Sequence, residues 1–171
     1  MFRRIEDLRT CLAEETEKTL QILDALPEAA LDTRVAEGFR DLRRMAWHLV
    51  ETRLEMPGHL GLRVKGCHLL QGPFIQDPPA TLGEIRATFA EAAASLDEAL
   101  ATWTDADLDR EDELYGETWR RGRTFMVLVV HEIHHRGQMT VLMRQAGLPV
   151  PGIYGPAKEG WAAYNVEAPR V

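Results

Sequence analysis

The stretch Arg123–Gly147, RTFMVLVVHEIHHRGQMTVLMRQAG, is predicted to form the last long helix of the protein. The closing glycine, with Pro149 two residues beyond it, is typical of a helix end. The β-branched run MVLVVH lies inside this helical pattern, so it does not predict a strand. Three of the six histidines of the chain fall within five residues of this helix: His131, His134 and His135.

Three further segments carry apolar residues at helical spacing. They run from Phe2 to Leu26, from Gly38 to Met56, and from Leu82 to Trp103. Thr81 and Glu84 predict a capping box at the start of the third segment, and Pro57 is expected to end the second. No run of alternating residues indicates a sheet. Four long helices with a long second connection, Pro57 to Pro79, predict an all-α four-helix bundle.

The composition of the 171 residues indicates a single domain, 1–171, in the reducing cytoplasm. The formal net charge of −7 argues against binding nucleic acid, and no apolar stretch approaches the roughly 20 residues of a membrane span. Two cysteines do not make a disulfide framework. The tail, residues 147–171, contains Tyr154, Trp161 and Tyr164. We expect it to pack on the bundle, because burying aromatic rings is favourable in free energy.

The spacing of His131 and His135 predicts a metal site. Residues four apart lie about 40° apart on a helix, so both imidazoles share one face, and that face also carries Leu128 and Leu142 and should point into the bundle. The second helix offers His48 as a third ligand. Three histidines with an open position are typical of a catalytic site. His134 falls on the other side of His131.

Glu132 and Gln138 are the candidate catalytic residues beside this trio. The sequence HEIHH fits the H-E-x-x-H pattern, in which the glutamate acts as a general base of a metalloprotease. The extended pattern is missing, because Gln138 and Val141 occupy its glycine and third histidine positions. Glu132 can instead form an ion pair, facing either the neighbouring helix or solvent. Gln138 can hydrogen-bond a molecule bound to the metal, or it can simply line the core.

The early motif WHLVE, followed by HEIHHRGQMTVLMRQAGLPVP in the last helix, resembles the DinB/YfiT-like superfamily over nearly the whole chain. The resemblance implies an up-down-down-up bundle that is often a homodimer. It also implies a divalent metal, zinc or nickel, held by three histidines, which correspond here to His48, His131 and His135. Characterised members include S-transferases that use low-molecular-weight thiols such as bacillithiol or mycothiol.

Two classes of function follow from the sequence. In the first, the protein is a metal-dependent enzyme, either a thiol S-transferase or a hydrolase, that acts on a small-molecule substrate. In the second, it is a non-catalytic metal-binding protein of a stress response. An enzyme needs a coordination position that is open to substrate, whereas a structural site is closed by a fourth protein ligand.

Overall fold

Four long helices dominate the computed structural model, which describes residues 1–69 and 77–170. Within these residues the elements are α1 (Ile5–Asp24), α2 (Leu42–His59), α3 (Leu82–Leu100), α4 (Asp105–Leu108), β1 (Glu111–Leu114), β2 (Glu117–Arg120) and α5 (Arg121–Gln145). Short 3₁₀ turns occupy Glu28–Ala30, Cys67–Leu69 and Lys158–Tyr164. The predicted four-helix bundle is confirmed, with α1, α2, α3 and α5 as its members.

Ion pairs at both ends of α1 fix its direction relative to α3. Arg9, near the start of α1, bonds Asp97 near the end of α3 at 2.7 Å. Asp24, the last residue of α1, pairs with Arg86 near the start of α3. The two helices are therefore antiparallel.

Helix α5 runs parallel to α1 and antiparallel to α2. The backbone amide of Phe2 donates to the carbonyl of Gly122 at 3.1 Å, so the starts of α1 and α5 lie together. His59, at the end of α2, stacks edge-on against Tyr115 just before α5, with ring centroids 5.8 Å apart. Taken with the antiparallel α1 and α3, this gives the up-down-down-up arrangement that the resemblance implied.

The core fills the space between the four long helices. Its largest fully buried apolar side chains come from all of them and from the turn after α1: Leu8, Ile22, Leu23, Leu31, Leu42, Leu49, Leu54, Ile85, Phe89 and Phe125. Two of the largest fully buried side chains are charged, Arg53 and Arg136.

The boundaries of α2 differ from those expected from the sequence. The helix begins at Leu42, not near Gly38, because the Asp41 carboxylate caps it by accepting the backbone N–H of Arg44 at 2.8 Å. It also continues through Pro57 to His59. A proline this close to the C-terminus removes one backbone hydrogen bond but has little helix left to break, and the buried Met56 and Pro57 pack this last turn onto the core.

A small antiparallel hairpin, which the sequence reading did not foresee, precedes α5. Strands β1 and β2 pair from Glu111–Arg120 to Leu114–Glu117. Tyr115 and Gly116 form the two-residue turn, with φ angles of 53° and 81°. Two successive positive φ values are typical of a type I′ turn, whose twist matches that of the strands. Four-residue strands are too short for alternation to stand out.

The predicted long connection between α2 and α3 falls partly on residues 70–76, which lie outside the described residues. In the tail, Leu148, Val150 and Ile153 pack against the core, while the Tyr154 and Tyr164 rings remain mostly exposed. Within residues 1–69 and 77–170, no helix combines the length and apolar character needed to cross a bilayer.

Candidate metal centre

Three imidazole rings converge where α2 faces α5. The Nε2 atom of His131 lies 3.1 Å from Nε2 of His48 and 3.0 Å from Nε2 of His135. The three histidines form a group in which one nitrogen from each ring lies within 4.8 Å of the others. The structure thus brings together the residues that the sequence selected as ligands.

Helix geometry places two of these rings on α5 and one on α2. His131 and His135 are one turn apart on the face of α5 that packs against α2. His135 is buried, with 8% of its surface exposed, whereas His131 and His48 are partly exposed. The centre therefore lies at the edge of the bundle, where solvent reaches two of the three rings.

Two of the rings are oriented by hydrogen bonds from their far nitrogen. His48 Nδ1 donates to the Glu51 carboxylate at 2.8 Å, and the other Glu51 oxygen lies 3.4 Å from the Arg44 guanidinium. His135 Nδ1 donates to the side-chain oxygen of Gln138 at 2.8 Å. Such partners fix the tautomer and orientation of a metal-binding imidazole and make its ligand nitrogen more basic.

The hydrogen count of the three rings calls for a cation. A neutral imidazole has one N–H, and His48 and His135 use theirs on Glu51 and Gln138. Both then present a lone pair on Nε2 toward His131, which has only one N–H to give. At least one lone pair is left facing another nitrogen at about 3 Å, and a shared metal ion would satisfy all three.

Burial keeps the two α5 rings in the form that binds metal. Burial lowers the pKa of His135 to about 4; the nearby His131 and His48 act in the same direction, against the hydrogen bond to Gln138. Burial also lowers the pKa of His131, with His48 contributing. Both rings are neutral at pH 7, and a neutral imidazole has a lone pair free for coordination.

The spacing of the nitrogens suits a small divalent ion with room for a further ligand. Tetrahedral zinc with Zn–N bonds of about 2.05 Å separates its ligand nitrogens by roughly 3.3 Å, close to the 3.0 and 3.1 Å found here. Within residues 1–69 and 77–170 the group has three members. Residues 70–76 contain no His, Cys, Asp or Glu that could add a fourth.

The other candidate residues lie around the trio in distinct ways. Gln138 contacts His135 directly. Glu132 is fully buried and directed into the bundle, where both carboxylate oxygens bond the Arg53 guanidinium. His134 is exposed, with its ring stacked edge-on at 5.1 Å from that of His135. The structure therefore groups Gln138 with the histidines and directs Glu132 elsewhere.

Sequence reasoning missed Glu51 as a part of this centre. Its signal was present in the spacing, because residues three apart on a helix are neighbours and His48 is followed by Glu51 at that distance. A carboxylate behind a metal-binding histidine is a common arrangement. The ion pair between Arg44 and Glu51 was harder to predict, since it depends on the direction of the Glu51 side chain.

Comparison with known proteins gives consistent matches over the whole chain. A model of the DinB family matches residues 1–170. YrdA of Bacillus subtilis (strain 168), described as uncharacterized, is 36% identical over 174 residues, covering 100% of both chains. A DinB-like protein from Bacillus cereus ATCC 10987 is 35% identical, with a TM-score of 0.82 over 90% of this chain and 100% of that one.

A more distant structure shares the fold alone. YfiT from Bacillus subtilis is 19% identical and superposes with a TM-score of 0.65 over 85% of this chain and 89% of its own. That protein is described as a probable metal-dependent hydrolase with an unusual four-helix bundle topology.

Proposed function

The chain belongs to the DinB family, and from this premise we propose that it is a metal-dependent enzyme with a small-molecule substrate. His48, His131 and His135 would hold one divalent ion, zinc or nickel, since three imidazoles suit both. The observation that carries the proposal is the convergence of three Nε2 atoms in a group with no fourth protein ligand among the described residues.

The chemistry follows from the neutral ligand set. A divalent ion held by three neutral imidazoles keeps its full charge and lowers the pKa of a bound water, to about 7 for zinc, or deprotonates a bound thiol. Glu51 and Gln138 hold the rings that would bind the ion. The partial exposure of His48 and His131 gives a substrate its approach from solvent.

Two reactions use a nucleophile of this kind. In S-transfer, the sulfur of a low-molecular-weight thiol bonds an electrophilic carbon, the leaving group departs with its electron pair, and the thiol proton passes to solvent. In hydrolysis, water adds to an ester or amide carbonyl and the bond to the leaving group breaks. YfiT, described as a probable metal-dependent hydrolase, supports the second reaction. The thiol-dependent members of the superfamily support the first.

Metal content is the first test of this proposal. We expect about one zinc or nickel ion per untagged chain by elemental mass spectrometry, and its loss in His48→Ala and in His131→Ala. His134→Ala is the matched control, because His134 lies on the same helix but outside the trio. A wild-type chain that neither contains metal nor takes up added zinc or nickel would overturn the proposal.

A cobalt-substituted protein would separate the two reactions. We expect a low-molecular-weight thiol to produce a sulfur-to-cobalt charge-transfer band if S-transfer is the activity. Hydrolysis of an activated ester, with no such band, would favour the hydrolase. A protein that binds cobalt but neither thiol nor ester would be the non-catalytic metal-binding protein instead.

We also propose that the protein is a homodimer joined through the outer face of α5. Val130, Ile133 and Val141 are 55%, 36% and 58% exposed on this helix. No exposed Asp, Glu, Lys or Arg occurs between Arg123 and Arg144, a helix length of about 30 Å. Exposed apolar patches of this kind mark interaction sites. An uncharged face needs no oppositely charged partner, so the same face of a second copy suits it, around a twofold axis.

The dimer is tested by light scattering. We expect the wild type to have twice the mass of the chain and the double variant Val130→Asp, Val141→Asp to be a monomer. Val166→Asp is the control, because Val166 is equally exposed at 53% but lies in the tail. A monomeric wild type, or a double variant that stays dimeric, would contradict this interface.

A further inference from the structure

We propose that four buried charged residues, Glu15, Arg53, Glu132 and Arg136, position the metal-binding histidines. We call this group the ionic brace. The inference rests on the proposed function, because it assigns a role to these residues toward the ion that the three histidines would hold. It also gives a role to Glu132 and Arg136, the two charged residues of the HEIHHRGQ motif that are not metal ligands.

The brace occupies the inner side of the same helical turns that carry the ligands. Glu132 directly follows His131, and Arg136 directly follows His135. Successive residues point about 100° apart on a helix, so the ligands face α2 while their neighbours enter the core. All four brace residues are buried, with 0% to 5% of their surface exposed.

One arm of the brace joins α5 to α2. The Arg53 guanidinium bonds both oxygens of Glu132, through Nε to Oε1 and through Nη2 to Oε2 at 2.9 Å. Arg53 lies five residues after His48 on α2, and Glu132 lies next to His131 on α5. A bidentate ion pair beside the metal centre thus joins the two helices that carry the three histidines.

The second arm joins α5 to α1. Arg136 Nη1 donates to the Thr19 hydroxyl at 2.8 Å and to the backbone carbonyl of Glu15 at 3.2 Å. Arg136 Nη2 bonds the Glu15 carboxylate and the Tyr154 hydroxyl of the tail. Arg136 Nη1 also lies 3.9 Å from Glu132, so the two arms meet on α5.

Positioning explains these bonds better than stability does. Replacing a buried ion pair with apolar side chains of similar volume often leaves a protein as stable or more stable, because charges cost free energy to bury. Apolar packing does not fix the rotation of a helix as strictly as a planar guanidinium fork does. A rotation of α5 about its axis would carry His131 and His135 away from His48.

The same contacts explain why Glu132 does not act as a base in this arrangement. Both carboxylate oxygens are bonded to Arg53, and none of the residue is exposed to solvent. A general base must reach the proton that it removes, directly or through one water. Glu132 is therefore a positioning residue and not a catalytic one.

The test replaces the α2–α5 arm with apolar side chains and measures metal binding in a folded protein. In the double variant Arg53→Met, Glu132→Leu, we expect the unfolding midpoint without metal to stay near that of the wild type. We expect cobalt affinity to fall about 10-fold, the lower end of the range for groups that hydrogen-bond a metal ligand, because the brace acts on the histidines through the orientation of the helices. The visible cobalt absorption spectrum should change as well, since it reports the geometry of the ligands.

The matched control removes a similar pair away from the histidines. Arg121 and Asp112 form a bidentate ion pair with hydrogen bonds of 2.7 and 3.1 Å, and Arg121 is also buried. We expect Arg121→Met, Asp112→Leu to retain wild-type cobalt affinity and spectrum. A second brace variant, Arg53→Lys, keeps the charge but loses the fork, and it should shift the cobalt spectrum while remaining folded. It decides the question by the same readouts if the double variant does not fold.

The outcomes separate this inference from the proposed function. A wild type that binds cobalt while the folded brace variants bind it with the same affinity and spectrum would overturn the brace and leave the metal centre intact. A wild type that binds no metal would overturn the proposed function, and the positioning role with it.

Discussion

Helices α3 and α5 belong to the same bundle but distribute their side chains in opposite ways. Helix α3 buries apolar residues such as Ile85, Phe89 and Leu96 and turns its charged residues to solvent. Helix α5 buries Glu132 and Arg136 and exposes the apolar side chains of Val130, Ile133 and Val141. A helix that serves only the fold follows the apolar stripe. A helix that buries charged residues and exposes apolar ones, as α5 does, is expected to carry a functional site.

The largest expected effect is on the buried charges of α5. In Glu132→Ala, Arg53 loses its carboxylate partner inside the core, and removing one member of a buried ion pair costs about 3–5 kcal/mol. We expect the free energy of unfolding to fall by this amount in urea titrations with a chelator present, so that metal binding does not contribute. Glu91→Ala on the exposed side of α3 is the control and should change stability by no more than about 0.5 kcal/mol.

Equal stability of the two variants would contradict the contrast between the helices. It would mean that α5 tolerates an unpaired buried guanidinium as easily as α3 tolerates the loss of a surface carboxylate.

The difference between the helices also decided how much the sequence could predict. The start of helix α3 was predictable to the residue, because the capping box of Thr81 and Glu84 is a local signal, and both bonds of that box are present. Its end was less well predicted, since the helix stops at Leu100 and the apolar spacing continues to Trp103. The grouping of the three histidines was predictable because His131 and His135 share a helix face and His48 lies at the edge of an apolar stripe. These inferences need only the period of a helix.

The ionic brace was beyond reach of the same reasoning. Arg53 and Glu132 are 79 residues apart, and Arg136 and Glu15 are 121 apart. Nothing local to either partner indicates the other, so the pairing depends on which helices are neighbours in the bundle. The hairpin before α5 was missed for a different reason, since its one clear signal is the short Tyr115-Gly116 turn.

A smaller effect is expected at the start of α3. Thr81 Oγ1 accepts the backbone N–H of Glu84 at 3.3 Å, and loss of such a cap costs about 1 kcal/mol. We expect Thr81→Ala to lower the free energy of unfolding by that amount and to leave cobalt affinity unchanged, because α3 contributes no ligand. Thr88→Ala, in the same helix but outside the cap, should not destabilise it, since alanine is the better helix former. A change in the cobalt affinity of Thr81→Ala would show that α3 also supports the site.

The smallest effect on stability is expected where α3 meets the end of α1, and it should depend on pH in a defined direction. Arg86 hydrogen-bonds Asp24 and holds the pKa of that carboxyl below its usual value, with burial acting against it. A carboxyl whose folded pKa lies below its unfolded pKa stabilises the protein above the unfolded pKa, and this stabilisation is lost as the pH falls through the folded pKa. Both side chains are about half exposed, so solvent screens the pair and Arg86→Ala should cost less than Thr81→Ala. We expect the difference in unfolding free energy between wild type and Arg86→Ala to be present at pH 7 and to vanish in acid. A difference that grew in acid would assign the stabilisation to something other than this ion pair.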